Sequence, residues 1–317
     1  MTKDLIAIAL GGNMILQKGQ PKTYEQQMEN LRKATDVIIN VIKKGFGVIL
    51  THGNGPQVGN ILVQQKSGVT EGIPEQPLSI CGAMSQGQIG FMIQTALEER
   101  LYEHDIHDKR VVAIITRAVV NHKDSAFKEP TKPIGPFYSE EEAIKLHKET
   151  KDTYINDAGR GFRKVVPSPI PLEILEGSTI RRCVEEGDIV IAVGGGGIPV
   201  AQENGTYVDV DAVIDKDRAT EVLATQIDAD ILMLLTDVSN AYLNYGKENQ
   251  QKIEKIEISK LKKMFDNGHF AKGSMGPKVE SAIQFIECGG RLSIITSPEN
   301  AIAALDDKSG TRVVKKI

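Results

Sequence analysis

Short, mostly β-branched apolar runs recur along the chain and nearly all end in glycine or a small polar residue. Leu5 to Leu10 precedes Gly11-Gly12-Asn13, Val48-Ile49-Leu50 precedes Thr51-His52-Gly53-Asn54-Gly55, and Ile231 to Leu235 precedes Thr236-Asp237. Residues 189–193 run into Gly194-Gly195-Gly196-Gly197, and 111–115 and 292–295 are further runs of the same kind. Runs this short, bounded by turn residues, predict buried strands. Between the first two, Met28, Leu31, Ala34, Ile38 and Val41 follow the period of an amphipathic helix. Thr23 with Gln26 fits a capping box at its start, and Gly45 after Lys43-Lys44 fits a left-handed stop. Similar periods at 85–101, 179–186, 218–226 and 278–287 make strand and helix alternate, which predicts a mostly parallel sheet covered by helices on both faces. In such a sheet ligands bind beyond the carboxyl ends of the strands, where the glycine clusters fall.

Residues 121–171 break the pattern. They hold six of the thirteen prolines, at 130, 133, 136, 167, 169 and 171, with dense charge and little apolar periodicity. This predicts an excursion from the sheet, either a small subdomain or lid, or an exposed insertion without function.

Composition narrows the function classes. With 38 basic against 42 acidic residues the chain carries a net charge of −4, so no global positive field draws it to nucleic acid or an anionic membrane. The absence of tryptophan argues against a base-stacking surface. No apolar run approaches the roughly 18 residues that would span a bilayer. The run after Met1-Thr2-Lys3-Asp4 is too short for a signal peptide, so a cytoplasmic enzyme is expected. Cys81, Cys183 and Cys288 lie far apart without C-x-x-C spacing and are expected to be buried or neutral thiols rather than disulfide or zinc ligands.

The chemistry concentrates at the glycine clusters. A glycine turn after a strand exposes backbone N–H groups, and the helix that follows adds its positive end, so each cluster can cradle phosphate. Neither common phosphate motif is present: Walker A is absent, and Gly53-Asn54-Gly55-Pro56-Gln57-Val58-Gly59 misses G-x-G-x-x-G by one residue. H-E-x-x-H and G-x-S-x-G are absent too, and His104 with His107 lacks a third ligand for a metal. Phosphoryl transfer needs cations around the migrating group. Lys132 between Pro130 and Pro133, Lys216 in Ile214-Asp215-Lys216-Asp217, and Lys278 after Gly276-Pro277 sit in rigid surroundings suited to that task. Asp209, Asp211, Asp215 and Asp217 form an acidic stretch in which one member can orient lysines and another approach magnesium; Asp217 before Arg218-Ala219-Thr220 also reads as a helix cap.

Together these strings resemble the carbamate kinases of the amino-acid kinase superfamily. The match runs from end to end: Ala9-Leu10-Gly11-Gly12-Asn13, Thr51 to Gly59, Gly82-Ala83-Met84-Ser85-Gln86-Gly87, Pro130-Thr131-Lys132-Pro133, Asp157-Ala158-Gly159-Arg160-Gly161, Val166-Pro167-Ser168-Pro169, Val213 to Asp217, Leu235-Thr236-Asp237-Val238, and Gly273-Ser274-Met275-Gly276-Pro277-Lys278. Acetylglutamate, aspartate and uridylate kinases share the fold but not this set.

The resemblance implies one domain over 1–317, a three-layer α/β/α sandwich that forms a homodimer, with 121–171 as an inserted subdomain protruding over the substrate. It implies reversible phosphoryl transfer between ATP and carbamate with Mg²⁺, usually run toward ATP in arginine breakdown. Gly11, Gly12, Asn13, Gly53, Asn54 and Gly55 would hold carbamoyl phosphate. Lys132, Lys216 and Lys278 would neutralise the phosphoryl oxygens and Asp217 would orient the lysines. Gly195, Gly196, Thr236, Asp237 and Met275 would serve the nucleotide, with no dedicated metal ligand assigned. One departure is Arg117, where the family commonly has glutamine after the equivalent of Thr116. A related kinase with another small carboxylate acceptor, or a non-catalytic ligand sensor, are the alternatives.

Overall fold

The computed structural model describes residues 4–17, 19–157, 159–271 and 273–316; Met1-Thr2-Lys3 and Ala158 of the 157–161 string lie outside them. All six apolar runs are strands of one eight-stranded sheet. Its order is Lys255–Glu257, Thr311–Val314, Leu292–Thr296, Ile231–Leu235, Leu5–Leu10, Gly47–His52, Ile189–Ile191, Val111–Ala113. From Leu292–Thr296 to Val111–Ala113 all neighbours are parallel, and Thr311–Val314 with Lys255–Glu257 runs the other way.

Side-chain alternation along the strands splits the core into two layers. Ile6, Ile8, Leu10, Val48 and Leu50 pack with Leu31 and Ile38 of helix Tyr24–Lys43 and with Ile89 and Ile93 of helix Leu78–Glu103. Ala7, Ala9 and Ile49 pack on the opposite face with Ala219 and Leu223 of helix Lys216–Gln226 and with Val279 and Ala282 of helix Met275–Glu287. The small alanines on strand and helix let Lys216–Gln226 lie close to the sheet. The Thr220 hydroxyl there meets that of Thr51 at 2.6 Å inside the core.

The helix signals act as the sequence predicts, with one difference. Thr23 caps Tyr24–Lys43 by accepting from the Gln26 N–H, and Gly45 turns at φ 91°. The Gln26 side chain, however, turns to Glu29 and Asn30, so the reciprocal half of the capping box is not made. Helix Leu78–Glu103 is longer than its apolar period, starting directly after Pro77.

Gly194–Gly196 is a tight 3₁₀ turn at the end of Ile189–Ile191, and it shows why glycine is required there. Val193, Gly195, Gly196 and Gly197 all have positive φ, at 53°, 65°, 95° and 85°. A β carbon on Gly196 would stand 2.4 Å from the Ile214 carbonyl oxygen, a backbone atom that cannot step aside.

Within the 121–171 stretch, strands Lys132–Tyr138, Thr153–Asn156 and Phe162–Val166 form their own antiparallel sheet with helix Glu140–Thr150. That helix opens with a full capping box between Ser139 and Glu142 and buries only Ala143, which is why apolar periodicity does not reveal it. Thr206–Asp209, Ile198–Glu203, Arg117–Val120 and Pro171–Ile174 form a further, four-stranded sheet in that order. Arg117 spends its guanidinium on Glu176 at 2.8 Å. Cys81 is a buried free thiol, Cys183 a half-buried one, and Cys288 stands exposed just past the end of Met275–Glu287. No described helix is long and apolar enough to cross a membrane.

Candidate active site

Leu5–Leu10, Gly47–His52 and Ile189–Ile191 are adjacent in the sheet, so the three glycine clusters emerge side by side at its carboxyl edge. Gly53 lies against Gly12 and Lys216: a β carbon on Gly53 would be 3.5 Å from the Gly12 nitrogen and 3.6 Å from Cδ of Lys216. Gly55 begins helix Gly55–Gly68, with Asn54 before it donating its amide to the Ser85 hydroxyl at 2.8 Å. Gly11 and Gly12 enter a short 3₁₀ turn, from which the Asn13 amide donates to the Asp237 carboxylate at 2.6 Å. Asn13 thereby joins the substrate-side glycines to the Thr236-Asp237 pair.

The lysines gather on two aspartates at the start of helix Lys216–Gln226. Asp215 is its N-cap, accepting from the Asp217 N–H at 3.0 Å, so the cap stands two residues before the Asp217 that the sequence offered. Asp217 is freed for the lysines: Oδ1 accepts from Lys216 at 2.5 Å and Oδ2 from Lys278 at 2.9 Å. Lys132 reaches the second oxygen of Asp215 at 3.1 Å from the first residue of strand Lys132–Tyr138. Three ammonium groups against two carboxylates leave one positive charge in excess, 3 − 2 = +1, at a helix N-terminus. This is an anion site by charge and by dipole.

Burial sets how these charges behave. Burial alone would raise the Asp217 carboxyl, but the Lys216 and Lys278 ammonium groups win and hold it low, at about 2. Burial pushes the Lys216 ammonium below its ordinary value, with Asp217 opposing and Lys278 assisting. Lys132 is the accessible member, its side chain 40% exposed against 13% for Lys216 and Lys278.

His52 is a neighbour that the sequence reading leaves without a role. Burial lowers it to about 4, the Gly53 carbonyl opposing and the Lys216 charge assisting, so the ring is neutral at neutral pH. A carbonyl can only accept, so Nδ1–H donates to Gly53 O at 3.0 Å and fixes the tautomer. The ring fills the space over Gly194, where a β carbon would lie 2.5 Å from Nε2. Gln86 performs a similar service, bonding both the N–H and the carbonyl of Thr116 with its amide.

The nucleotide-side candidates do not form one group. Thr236 and Asp237 follow strand Ile231–Leu235 and line an open cavity of about 670 Å³ with Asn13. Met275 begins the helix that carries Lys278 and packs on the core beside Lys216–Gln226. Gly195 and Gly196 instead abut the Asn54 side chain and Ile214. They follow a strand three places from Ile231–Leu235, about 14 Å at the usual strand spacing. Another cavity, of about 690 Å³, lies along helices Lys216–Gln226 and Met275–Glu287 and is lined by none of the three lysines.

Asp217→Asn takes from two nearly buried ammonium groups the carboxylate that they share. We expect a stability loss of about 2 to 4 kcal/mol near pH 7 by urea unfolding, with part recovered on adding Lys278→Met. Because the folded carboxyl titrates below its unfolded value, this contribution is present above pH 4 and is lost as pH falls toward 2. A loss under about 0.5 kcal/mol would show that the pair is not what holds the cluster.

Residues 4–297 match the model of the amino acid kinase family. The chain is 53% identical to the carbamate kinase of Pyrococcus horikoshii over 98% of its own length and 99% of the relative's. It is 45% identical to the carbamate kinase of Trichomonas vaginalis, with 98% and 99% covered. Among solved structures, the carbamate kinase of Giardia lamblia bound to AMP-PNP superposes with a TM-score of 0.94 at 44% identity, covering 99% of both chains. With full-length likeness of this degree and a lysine–aspartate anion site at the sheet edge, the chain is a kinase that belongs to the carbamate kinases of the amino acid kinase family.

Proposed function

We propose that the protein transfers a phosphoryl group reversibly between ATP and carbamate, forming ATP from carbamoyl phosphate and ADP during arginine breakdown in the cytoplasm. The observation that carries this reading is the sharing of Asp217 by Lys216 and Lys278, with Lys132 on the adjacent Asp215. In the ATP-forming direction the bond from the carbamate oxygen to phosphorus breaks, and one from the terminal ADP oxygen to phosphorus forms. Charge spreads over the equatorial phosphoryl oxygens as this happens, and preorganised ammonium groups stabilise it without moving. Asp217 aims two of them.

The N–H groups of Gly11, Gly12, Gly53 and Gly55, with Asn13 and Asn54, hold the carbamoyl phosphate end. Thr236, Asp237 and Met275 serve the nucleotide in this reading, the first two from the cavity that they line with Asn13. Gly195 and Gly196, lying on Asn54 and Ile214, act in this reading by shaping the substrate end. No group of three or more His, Cys, Asp or Glu that would hold a metal occurs among the described residues. In this reading Mg²⁺ is carried mainly by the nucleotide's phosphates, with one carboxylate such as the exposed Asp237 added. Its chemistry when bound is to neutralise phosphate charge.

Coupled measurement of ATP from ADP and carbamoyl phosphate tests the assignment. Wild type should turn over, and Lys216→Ala should lose about 10²-fold or more in kcat with the fold intact. Wild-type activity only on another acyl phosphate, or near-normal turnover by the variant, would overturn it.

Residues 121–171 act as an inserted lid on a single domain spanning 1–317, with Lys132 leaving Asp215 for the phosphoryl group when substrates bind. Hydrogen exchange of this segment should slow on adding ADP and carbamoyl phosphate; unchanged exchange would count against closure.

The protein forms a homodimer through helix Leu78–Glu103, where exposed Ile80, Met84 and Phe91, with Gly87 between, recur at helical spacing beside exposed Ile115. Phe91→Asp should shift the sedimentation coefficient from dimer to monomer. A monomeric wild type, or a variant that remains dimeric, would refute this interface.

A further inference from the structure

The cavity of about 690 Å³ between helices Lys216–Gln226 and Met275–Glu287 has a wall that the phosphoryl chemistry does not use. Its third side is strand Pro171–Ile174, the edge of the four-stranded sheet, which leaves Leu172 60% exposed over the opening. Leu172, Ile170 and Val222 make part of the lining apolar. The charged groups are Arg218, Glu221, Glu280 and, from the strand, Glu173.

Glu221 is the unusual member. It is only 6% exposed, yet among the described residues its one hydrogen bond is from the Thr225 hydroxyl to Oε1, at 2.9 Å. The cation nearest in sequence, Arg218 one turn earlier, is committed to Glu280 of the other helix at 2.7 Å. A buried carboxyl that lines a cavity and lacks a cation is costly to ionise, so it holds its proton until something positive pairs with it. Burial, with the charge of Glu280 adding to it, pushes this carboxyl up to about 7. Once Glu221 is ionised, three acids stand against one base on the wall, 3 − 1 = 2 in excess, which disfavours an anion and favours a cation. The volume lies within the usual range for small-molecule sites, and the mixed lining suits an apolar body with one polar head.

We propose that this cavity is a second binding site, separate from the lysine cluster, for a small organic cation: an amine or guanidinium on a short apolar chain, with its head on Glu221 and its chain against Leu172 and Val222. An occupant there touches both helices whose first turns carry Lys216 and Lys278. The site therefore lies where binding can be felt by the lysine cluster without competing for it.

The probe is n-butylguanidinium, titrated calorimetrically into the full-length protein, with 1-pentanol as a neutral molecule of similar size. The cation should bind, and Glu221→Gln should weaken it about tenfold or more, as loss of a charged hydrogen-bond partner does. Affinity should rise from pH 6 to pH 8, because Glu221 ionises across that interval. Since Cys288 also lines the cavity and is exposed, the cation should slow its alkylation by iodoacetamide in wild type and not in the variant. Retained turnover by Glu221→Gln would establish that the variant is folded. Equal binding by wild type and variant, equal binding of 1-pentanol, or no binding of the cation at tens of millimolar would each overturn the proposal.

Discussion

The site depends on one carboxylate. Asp217 is almost fully buried, and a lone charge there would be expelled by desolvation. It stays ionised because Lys216 and Lys278 reach its two oxygens, and they in turn stay charged near the core because it is there. Neither side of this arrangement is tolerable alone, so the packing around it must be rigid. Helix Lys216–Gln226 is pressed on Ala7 and Ala9 and tied to strand Gly47–His52 through Thr51 and Thr220. Helix Met275–Glu287 lies against it, held by its own apolar face and by the Arg218–Glu280 pair.

The same constraint explains why glycine crowds the sheet edge. Two helices and a buried ion cluster occupy the space above the strand ends, leaving the loops to pass at near-contact distance. Gly53 runs against Gly12 and Lys216, Gly194 beneath His52, and Gly196 against the Ile214 backbone. These glycines expose N–H groups to an anion, and at Gly194 and Gly196 a β carbon would also collide with its neighbours. Function and packing ask for the same residue here. Lys132 stands outside this rigid set: more exposed, and supplied by a separate small sheet, it is bound to the cluster only through Asp215.

A kinase of this geometry gains little from the whole-molecule field. The net charge of −4 conceals an excess of one positive charge where the phosphoryl group would pass. The second cavity shows the converse, a local acidic excess on the far length of the same two helices. Local balance, set by which side chains the fold brings within a few ångströms, decides what each surface can hold.

Much of the architecture was legible from residue order alone. Buried parallel strands must be apolar on both faces, so they stand out as runs, and helices between them show the 3.6-residue period. Lys132, Lys216, Asp217 and Lys278 were also legible as candidates, because proline, glycine and acidic neighbours set them apart from surface lysines. The tertiary structure alone decided their pairing. Asp215 rather than Asp217 caps the helix, a choice that turns on which carboxylate the folded backbone aims inward. His52 and Glu221 acquire their shifted protonation from burial by segments distant in sequence. Gly195 and Gly196 join Asn54 and Ile214 rather than Thr236 because strand order, set by long-range pairing, separates the two ends of the edge. Periodicity is a local property and survives in the sequence; desolvation and charge pairing belong to three-dimensional neighbours, and only the fold supplies those.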